Sequence, residues 1–163
     1  MIEIGESVLA RRASVLSGPS RFSVIHFAAH AVPNRDSPLD SAIVLSPGRD
    51  TAKLYTREVR HVPLSAELVT VSACQSAGAR AYAGEGLVGF AWAFLAAGAR
   101  NVIASLWDVS DRSTATLMQA VYSRVRDSED PAEALRAVKL EFLHSATANR
   151  KPYYWAPFQV YVR

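Results

Sequence analysis

The chain lacks most of the features that mark specialised classes of protein. It has one cysteine among 163 residues, so neither an internal disulfide nor a cysteine-rich zinc site can form. Its longest apolar run covers positions 87–99, whereas a membrane-spanning helix needs about 20 residues. No basic segment followed by an apolar core and a cleavage site opens the sequence, so no secretory signal is visible. These absences predict a cytoplasmic globular protein that does not bind membranes.

The chain also has little excess of one charge over the other. The net charge is only +3, and the basic residues are scattered among acidic ones. Nucleic-acid-binding proteins usually carry a basic stripe interleaved with aromatic residues, so we expect no direct contact with nucleic acid. The four histidines are too scattered in the sequence to suggest a metal site, and we expect no cofactor.

Apolar runs alternate with amphipathic stretches, which is typical of an α/β domain. Three nearly continuous apolar runs predict central parallel strands covered on both faces, at 22–29, 68–73 and 101–107. Outer strands are predicted at 2–4 and 157–162. Helices are predicted at 6–16, 87–97, 111–126 and from Asp130 to about Ser145. Two short runs around Pro47-Gly48, within residues 41–54, predict a small hairpin that flanks the sheet. We expect a single domain that covers residues 1–163.

Polar residues follow each of the three predicted central strands. His30 follows the first, Cys74 the second and Asp108 the third. Ligands and catalytic groups gather beyond the carboxyl ends of strands in open α/β sheets. A nearby imidazole turns a thiol into a thiolate nucleophile, so His30 and Cys74 suggest a catalytic pair. The alternative is a cysteine that is only a small packed hydrophobe. We interpret His26 as a hydrogen-bonded histidine of the core.

A second motif suggests a different activity. Gly84, Gly86 and Gly89 match the G-x-G-x-x-G pattern of dinucleotide-binding sites, and Asp108 ends the following strand. In that pattern the first glycine directly follows its strand, but residues 74–83 intervene here. The other interpretation is that the glycines allow a tight turn and close packing of the helix.

Five blocks of sequence, in a fixed order across residues 22–158, carry a family resemblance. They are His-Phe-Ala-Ala-His30, Val-Ser-Ala-Cys74-Gln-Ser-Ala-Gly, Gly-Glu85-Gly with Ala-Phe-Leu-Ala-Ala-Gly-Ala, Ser-Leu-Trp107-Asp-Val-Ser-Asp111 and Tyr-Tyr-Trp155-Ala-Pro-Phe. Together they resemble the CHAT domain, a caspase-like module often associated with tetratricopeptide repeats. The resemblance implies a three-layer α/β/α sandwich with a mostly parallel central sheet, and a cysteine endopeptidase.

The resemblance also implies roles for individual residues. Cys74 would be the nucleophile and His30 the general acid or base, with the backbone N–H groups of Ala31 and Cys74 as oxyanion donors. Relatives in this protease clan often select a charged P1 side chain. We therefore expect Asp108, Asp111 and Glu85 to bind substrate, with a preference for Arg or Lys at P1. Two alternatives stay open: Asp111 could cap the helix that begins there, and Glu85 could hold its loop.

Two departures from the family pattern bear on activity. Most relatives have glycine directly after the catalytic histidine, whereas this chain has Ala31, and a left-handed backbone there would be strained. Relatives also usually carry more sequence upstream. We therefore expect a peptidase that acts on protein substrates under the control of an activating or complementary subunit, or of processing, as in defence or cell-death systems. The alternative is a catalytically inactive caspase-like interaction module.

Overall fold

The computed structural model of the chain describes residues 15–16, 22–34, 36–46, 51–72, 85–107 and 109–163. The strands are β1 (Val24–Ala28), β2 (His30–Val32), β3 (Ala42–Val44), β4 (Lys53–Tyr55), β5 (Leu68–Ser72), β6 (Asn101–Ser105) and β7 (Phe158–Val162). The α-helices are α1 (Thr56–Val59), α2 (Glu85–Ala97), α3 (Asp111–Arg126) and α4 (Pro131–His144). Single 3-10 turns lie at Pro38–Asp40, Ala148–Arg150 and Pro152–Tyr154.

The larger sheet has the strand order β1-β5-β6-β7. β1, β5 and β6 run parallel, and β7 pairs antiparallel with β6. All five residues of β6 are buried, as are the first four of β5. Continuous burial of this kind explains the apolar runs of β5 and β6, because helices cover a parallel sheet on both faces. β1 was predicted as a third covered central strand, but it lies at the edge of the described sheet, and Phe27 is its one buried residue. The predicted mostly parallel sheet is confirmed.

The smaller sheet has three antiparallel strands in the order β2-β3-β4. β3 lies within residues 41–54 and β4 extends one residue further, to Tyr55, so the predicted flanking hairpin is confirmed; Pro47 and Gly48 lie outside the described residues. The first strand of this sheet was not predicted. β2 begins at His30, one residue after the bend at Ala29 that ends β1, and pairs with β3.

Two helical layers cover the larger sheet. On one face, Phe90 and Phe94 of α2 are almost completely buried against Val69 and Val71 of β5. On the other face, α3 and α4 bury an apolar stripe against β5, β6 and β7; its members include Leu117, Val121, Val125, Leu135, Val138 and Phe142. Helical spacing of apolar residues puts such a stripe on one side of each helix. The fold is therefore a layered α/β/α arrangement of the caspase-like type.

Capping residues set where the two long helices of the second layer begin. The Ser110 hydroxyl accepts a hydrogen bond from Ser113 N at the start of α3. The Asp130 carboxylate accepts bonds from Ala132 N and Glu133 N, and Pro131 occupies the first helical position of α4. Side-chain oxygens at this position satisfy backbone donors that the helix leaves unpaired. The predicted helices over 111–126 and after Asp130 are confirmed.

Some sequence predictions fall on residues that the structure does not describe. The strand predicted at 2–4 is one of them. Of the helix predicted at 6–16, Val15 and Leu16 are described, and both are helical.

Gly98 ends α2 in a conformation that only glycine adopts easily. Its φ is +116°, and a Cβ atom there would collide with the carbonyl oxygen of Leu64 and lie 3.3 Å from its carbon. Leu64 N in turn donates to Ala97 O at 2.8 Å. The end of α2 is thus bonded to the segment that leads into β5, and the close approach depends on the missing side chain.

We expect Gly98→Ala to lower the free energy of unfolding by more than about 1 kcal/mol. Strain at positive φ alone costs about 1–3 kcal/mol, and the clash with Leu64 adds to it. Gly89→Ala is the matched control. A Cβ at Gly89, inside α2, would meet Pro38 atoms at an ordinary 3.6 Å, so the control should be neutral or stabilising by up to about 1 kcal/mol. Urea denaturation measures both. Equal effects of the two substitutions would contradict this account of Gly98.

Candidate functional site

The carboxyl ends of the parallel strands lie side by side at one edge of the larger sheet. Ala28, the last residue of β1, pairs with Ser72, the last residue of β5. Next to it, Val71 of β5 pairs with Ala104 of β6. Segments that follow β1, β5 and β6 therefore leave the sheet at the same edge, where α/β proteins place their ligands.

His30 stands two residues beyond the end of β1. It is the first residue of β2, where it pairs with Val44 of β3, and its side chain is exposed. The backbone of the smaller sheet thus holds the imidazole next to the edge of the larger one. Cys74 follows the end of β5 by the same number of positions in the sequence, and it lies outside the described residues.

The other predicted site residues are only partly described. Asp108 lies outside the described residues. Glu85 is the first residue of α2, and its backbone alone is described. Asp111 is the first residue of α3 and is exposed. The residue that caps α3 is Ser110 rather than Asp111, so Asp111 is not needed as the cap, although its charge suits the first turn of the helix.

Ala31 adopts extended backbone in β2, where it pairs with Ile43. Among the described residues other than glycine, only Ser128 has a positive φ. Ala31 therefore carries none of the left-handed strain that would make glycine necessary. Replacing the family's usual glycine by alanine costs no backbone energy in this conformation.

A polar contact between the middle of β1 and the end of β5 was not predicted from the sequence. His26 Nε2 lies 2.5 Å from Ser72 Oγ, and the imidazole meets the ring of Tyr122 edge-on, with 5.7 Å between the ring centroids. His26 is thus hydrogen-bonded, as interpreted, but its side chain is exposed rather than in the core. Ser72, a polar residue that ends an apolar strand, was the signal in the sequence.

The surroundings change the titration of both aromatic groups in this contact. Desolvation lowers the pKa of His26, because the neighbouring groups remove water from the charged imidazole although part of the ring stays exposed. Burial raises the pKa of Tyr122 well above its ordinary value. Both groups are therefore neutral at pH 7.

Trp107 follows β6 at the same edge and is held at two points. Its indole Nε1 donates to Tyr153 O at 3.1 Å, and its carbonyl accepts from Ser105 Oγ at 2.6 Å. The side chain is nevertheless 39% exposed. A fixed but exposed indole fits the wall of a pocket better than a core position.

The helix that begins at Glu85 bears on the dinucleotide interpretation. In the G-x-G-x-x-G motif the third glycine allows close packing of helix against strand. Here a Cβ at Gly89 would make only ordinary contacts, at 3.6 Å. The helix therefore does not pack so closely at Gly89 that a side chain would be excluded, as the third glycine of the motif would require. This observation argues against a dinucleotide site.

The described part of the chain contains neither a membrane-spanning helix nor a group of metal ligands. No helix there combines the length and the apolar character that crossing a bilayer requires. Within the same residues, no three side chains of the types His, Cys, Asp and Glu come together as a group that could hold a metal ion.

Comparison with known proteins identifies the family of this chain. Residues 5–163 match the CHAT domain family, and the chain belongs to that family of caspase-like cysteine peptidases. The chain is also similar to Tetratricopeptide repeat protein 28 of Mus musculus, with 36% identity over 109 residues. That similarity covers 64% of this chain and 4% of the mouse protein, so the chain spans a small fraction of its curated relative.

The lowered pKa of His26 predicts a pH dependence of stability. The unfolded chain, with an imidazole pKa near 6.5, takes up a proton more readily than the folded chain. The contribution of neutral His26 to the free energy of unfolding is therefore fully present above pH 6.5. It is lost as the pH falls through the lower pKa that His26 has in the folded chain. We expect the free energy of unfolding to decline between pH 7 and pH 5, and His26→Gln to flatten that decline.

Urea denaturation at pH 7, 6 and 5 measures this effect. His61→Gln, which replaces an exposed histidine on another part of the surface, is the matched control and should leave the slope unchanged. An identical slope in the His26 variant and the unmodified chain would mean that His26 is not the titrating group.

Proposed function

We propose that this CHAT domain is a cysteine endopeptidase in which Cys74 is the nucleophile and His30 the general acid and base. The pairing of Ala28 with Ser72 carries the proposal. His30 and Cys74 follow these two residues by the same number of positions, and consecutive Cα atoms are about 3.8 Å apart. Chain length therefore limits the Cα atom of each residue to about 8 Å from the Cα atom of its strand end, and the two strand ends are adjacent.

The reaction proposed is acyl transfer. His30 takes the thiol proton, and the Cys74 thiolate attacks the carbonyl carbon of the scissile peptide bond. His30 then gives the proton to the amine that leaves, and a thioester remains on Cys74. Water, deprotonated by His30, hydrolyses the thioester, which releases the carboxyl product and restores the thiol.

The negative charge on the tetrahedral oxygen needs hydrogen-bond donors. We propose the backbone N–H groups of Ala31 and Cys74, each worth about 3 kcal/mol in transition-state stabilisation. The extended, unstrained backbone of Ala31 supports this role, since alanine can keep the same conformation as glycine there.

For substrate, we propose a protein with Arg or Lys at P1, bound through the carboxylates of Asp108, Asp111 and Glu85. The exposed position of Asp111 at the start of α3 supports its part in this set. A carboxylate paired with a substrate cation favours that side chain over a neutral one of similar size.

Two observations support a proposal for the location, control and role of this domain. The chain belongs to the CHAT family, and it matches only 4% of the mouse tetratricopeptide repeat protein. We propose that residues 1–163 form one domain in the cytoplasm, under the control of an activating or complementary subunit, with a role in defence or cell death. The similarity to a tetratricopeptide repeat protein supports protein–protein interaction as the mode of control.

The alternative function is an inactive caspase-like interaction module. Its main support in the sequence was Ala31, and the strand conformation of that residue removes the argument from strain. The reactivity of Cys74 distinguishes the two functions.

We expect iodoacetamide to alkylate Cys74 with an apparent pKa well below 8.5, the ordinary value for a thiol, because His30 stabilises the thiolate. His30→Ala should move that pKa towards 8.5 and abolish peptide cleavage. Cys74 is the single cysteine of the chain, so mass spectrometry of the alkylated protein follows this residue alone.

His61→Ala is the matched control, because it removes an exposed histidine from a different surface. It should leave both the alkylation profile and cleavage unchanged. If Cys74 reacts only after unfolding, or if its pH profile is the same with and without His30, the inactive interaction module is the better description.

The substrate proposal has its own test. We expect Asp108→Asn to reduce kcat/KM for fluorogenic peptides with Arg or Lys at P1 about tenfold or more, since a charged hydrogen bond contributes about 1.5–3 kcal/mol. Cleavage of peptides with Leu at P1 should change little. A uniform loss over all peptides would mean that Asp108 acts in another way than by recognising a basic side chain.

A further inference from the structure

A groove lies between α4 and the edge strand β7, on the face of the larger sheet that α3 and α4 cover. Its volume is about 350 Å³, and its walls include Leu135, Lys139, Leu140, Leu143, Trp155 and Val160. The α4 residues lining it recur every three or four positions over about three turns, or about 16 Å of helix. The groove therefore follows the long axis of α4.

The walls of this groove are apolar and exposed. Leu140 is 41% exposed and Leu143 44% exposed, although neighbouring Phe142 is buried in the core. Trp155 is partly buried against that core, and its indole Nε1 donates to Arg150 O at 3.2 Å. The tryptophan side of the groove is thus already fixed in place, so a ligand would not have to order it.

The charge in the groove has one sign. The lining residues include two cations, Arg136 and Lys139, and no carboxylate. Arg136 lies 3.8 Å from Glu133. Lys139 has no ion-pair partner among the described residues, and partial burial against the apolar walls lowers its pKa. Removing water from an unpaired ammonium costs free energy, and an incoming carboxylate would offset that cost.

We propose that this groove docks an amphipathic helix of a partner protein, which inserts leucine-sized side chains between α4 and Trp155 and places a carboxylate at Lys139. The straight, three-turn row of contact positions suits a helix, because a helix packs its own row of side chains along such a stripe. The unpaired cation selects an acidic partner. The docking site does not depend on Cys74 being reactive.

The test is selection of peptides against the whole 163-residue chain. The library consists of displayed 16-residue helical peptides with leucines fixed at helical spacing and the other positions randomised. We expect the enriched peptides to carry an Asp or Glu at a common position. Replacing that residue by its amide should weaken binding at least tenfold, and Lys139→Glu should weaken it similarly. A Lys in place of the peptide's acid should restore binding to the Lys139→Glu variant.

Leu143→Ser should remove binding of the same peptides. Two exposed positions away from the groove give matched controls: Trp92→Ser, on the opposite face of the sheet, and Arg126→Glu, at the end of α3. Both controls should bind the peptides as the unmodified chain does. Circular dichroism and thermal melts check that all four variants are folded.

Several results would overturn the proposal. Enriched peptides without a preference for acid would contradict the selection by Lys139. Peptides that bind the Lys139→Glu and Leu143→Ser variants unchanged would show that the groove is not their site. Sedimentation that reveals a dimer lost in Leu143→Ser would make a second copy the occupant. Flotation with phosphatidylserine vesicles that is lost in the groove variants would make the occupant a membrane.

Discussion

The parallel pairing of β1 with β5 is the constraint on which the candidate site depends. These two strands are far apart in the sequence, yet their last residues, Ala28 and Ser72, are register partners. A slip of one residue would turn Val69 and Val71 away from the α2 face and towards α3 and α4, so burial on both faces fixes the register. The stability of the core and the geometry of the edge thus have the same origin.

Much of the fold could be predicted because its elements carry strong local patterns. The continuous apolar runs of β5 and β6, the periodicity of α3 and α4, and the Asp130-Pro131 cap all depend on residues close in sequence. Ends of elements were less certain. The strand predicted to reach Trp107 ends at Ser105, where the Ser105 hydroxyl bonds Trp107 O and Leu106 N donates to Pro157 O.

The sequence suggested candidate residues for the site, but it did not indicate how the elements around them contact one another. His30, Cys74 and Asp108 follow predicted strands, so the rule for carboxyl ends makes them candidates, and for Cys74 and Asp108 this stays a prediction. The strand that contains His30 escaped prediction because its three residues are stabilised by β3, which comes later in the chain. The His26–Ser72 contact and the groove beside Lys139 escaped for the same reason, since each joins elements whose spacing in the sequence says nothing of their contact.

One residue, Ala29, joins the two sheets, and His30 comes directly after it. If the smaller sheet rotates as a rigid body about Ala29, the displacement of any atom grows with its distance from Ala29. The backbone of His30 is only about 4 Å away, so a rotation of ten degrees shifts it by less than about 1 Å. The outer strand β4 lies two strand spacings from β2, about 10 Å, and would move about two to three times farther. The short lever arm therefore keeps the histidine backbone in nearly constant register with the end of β5.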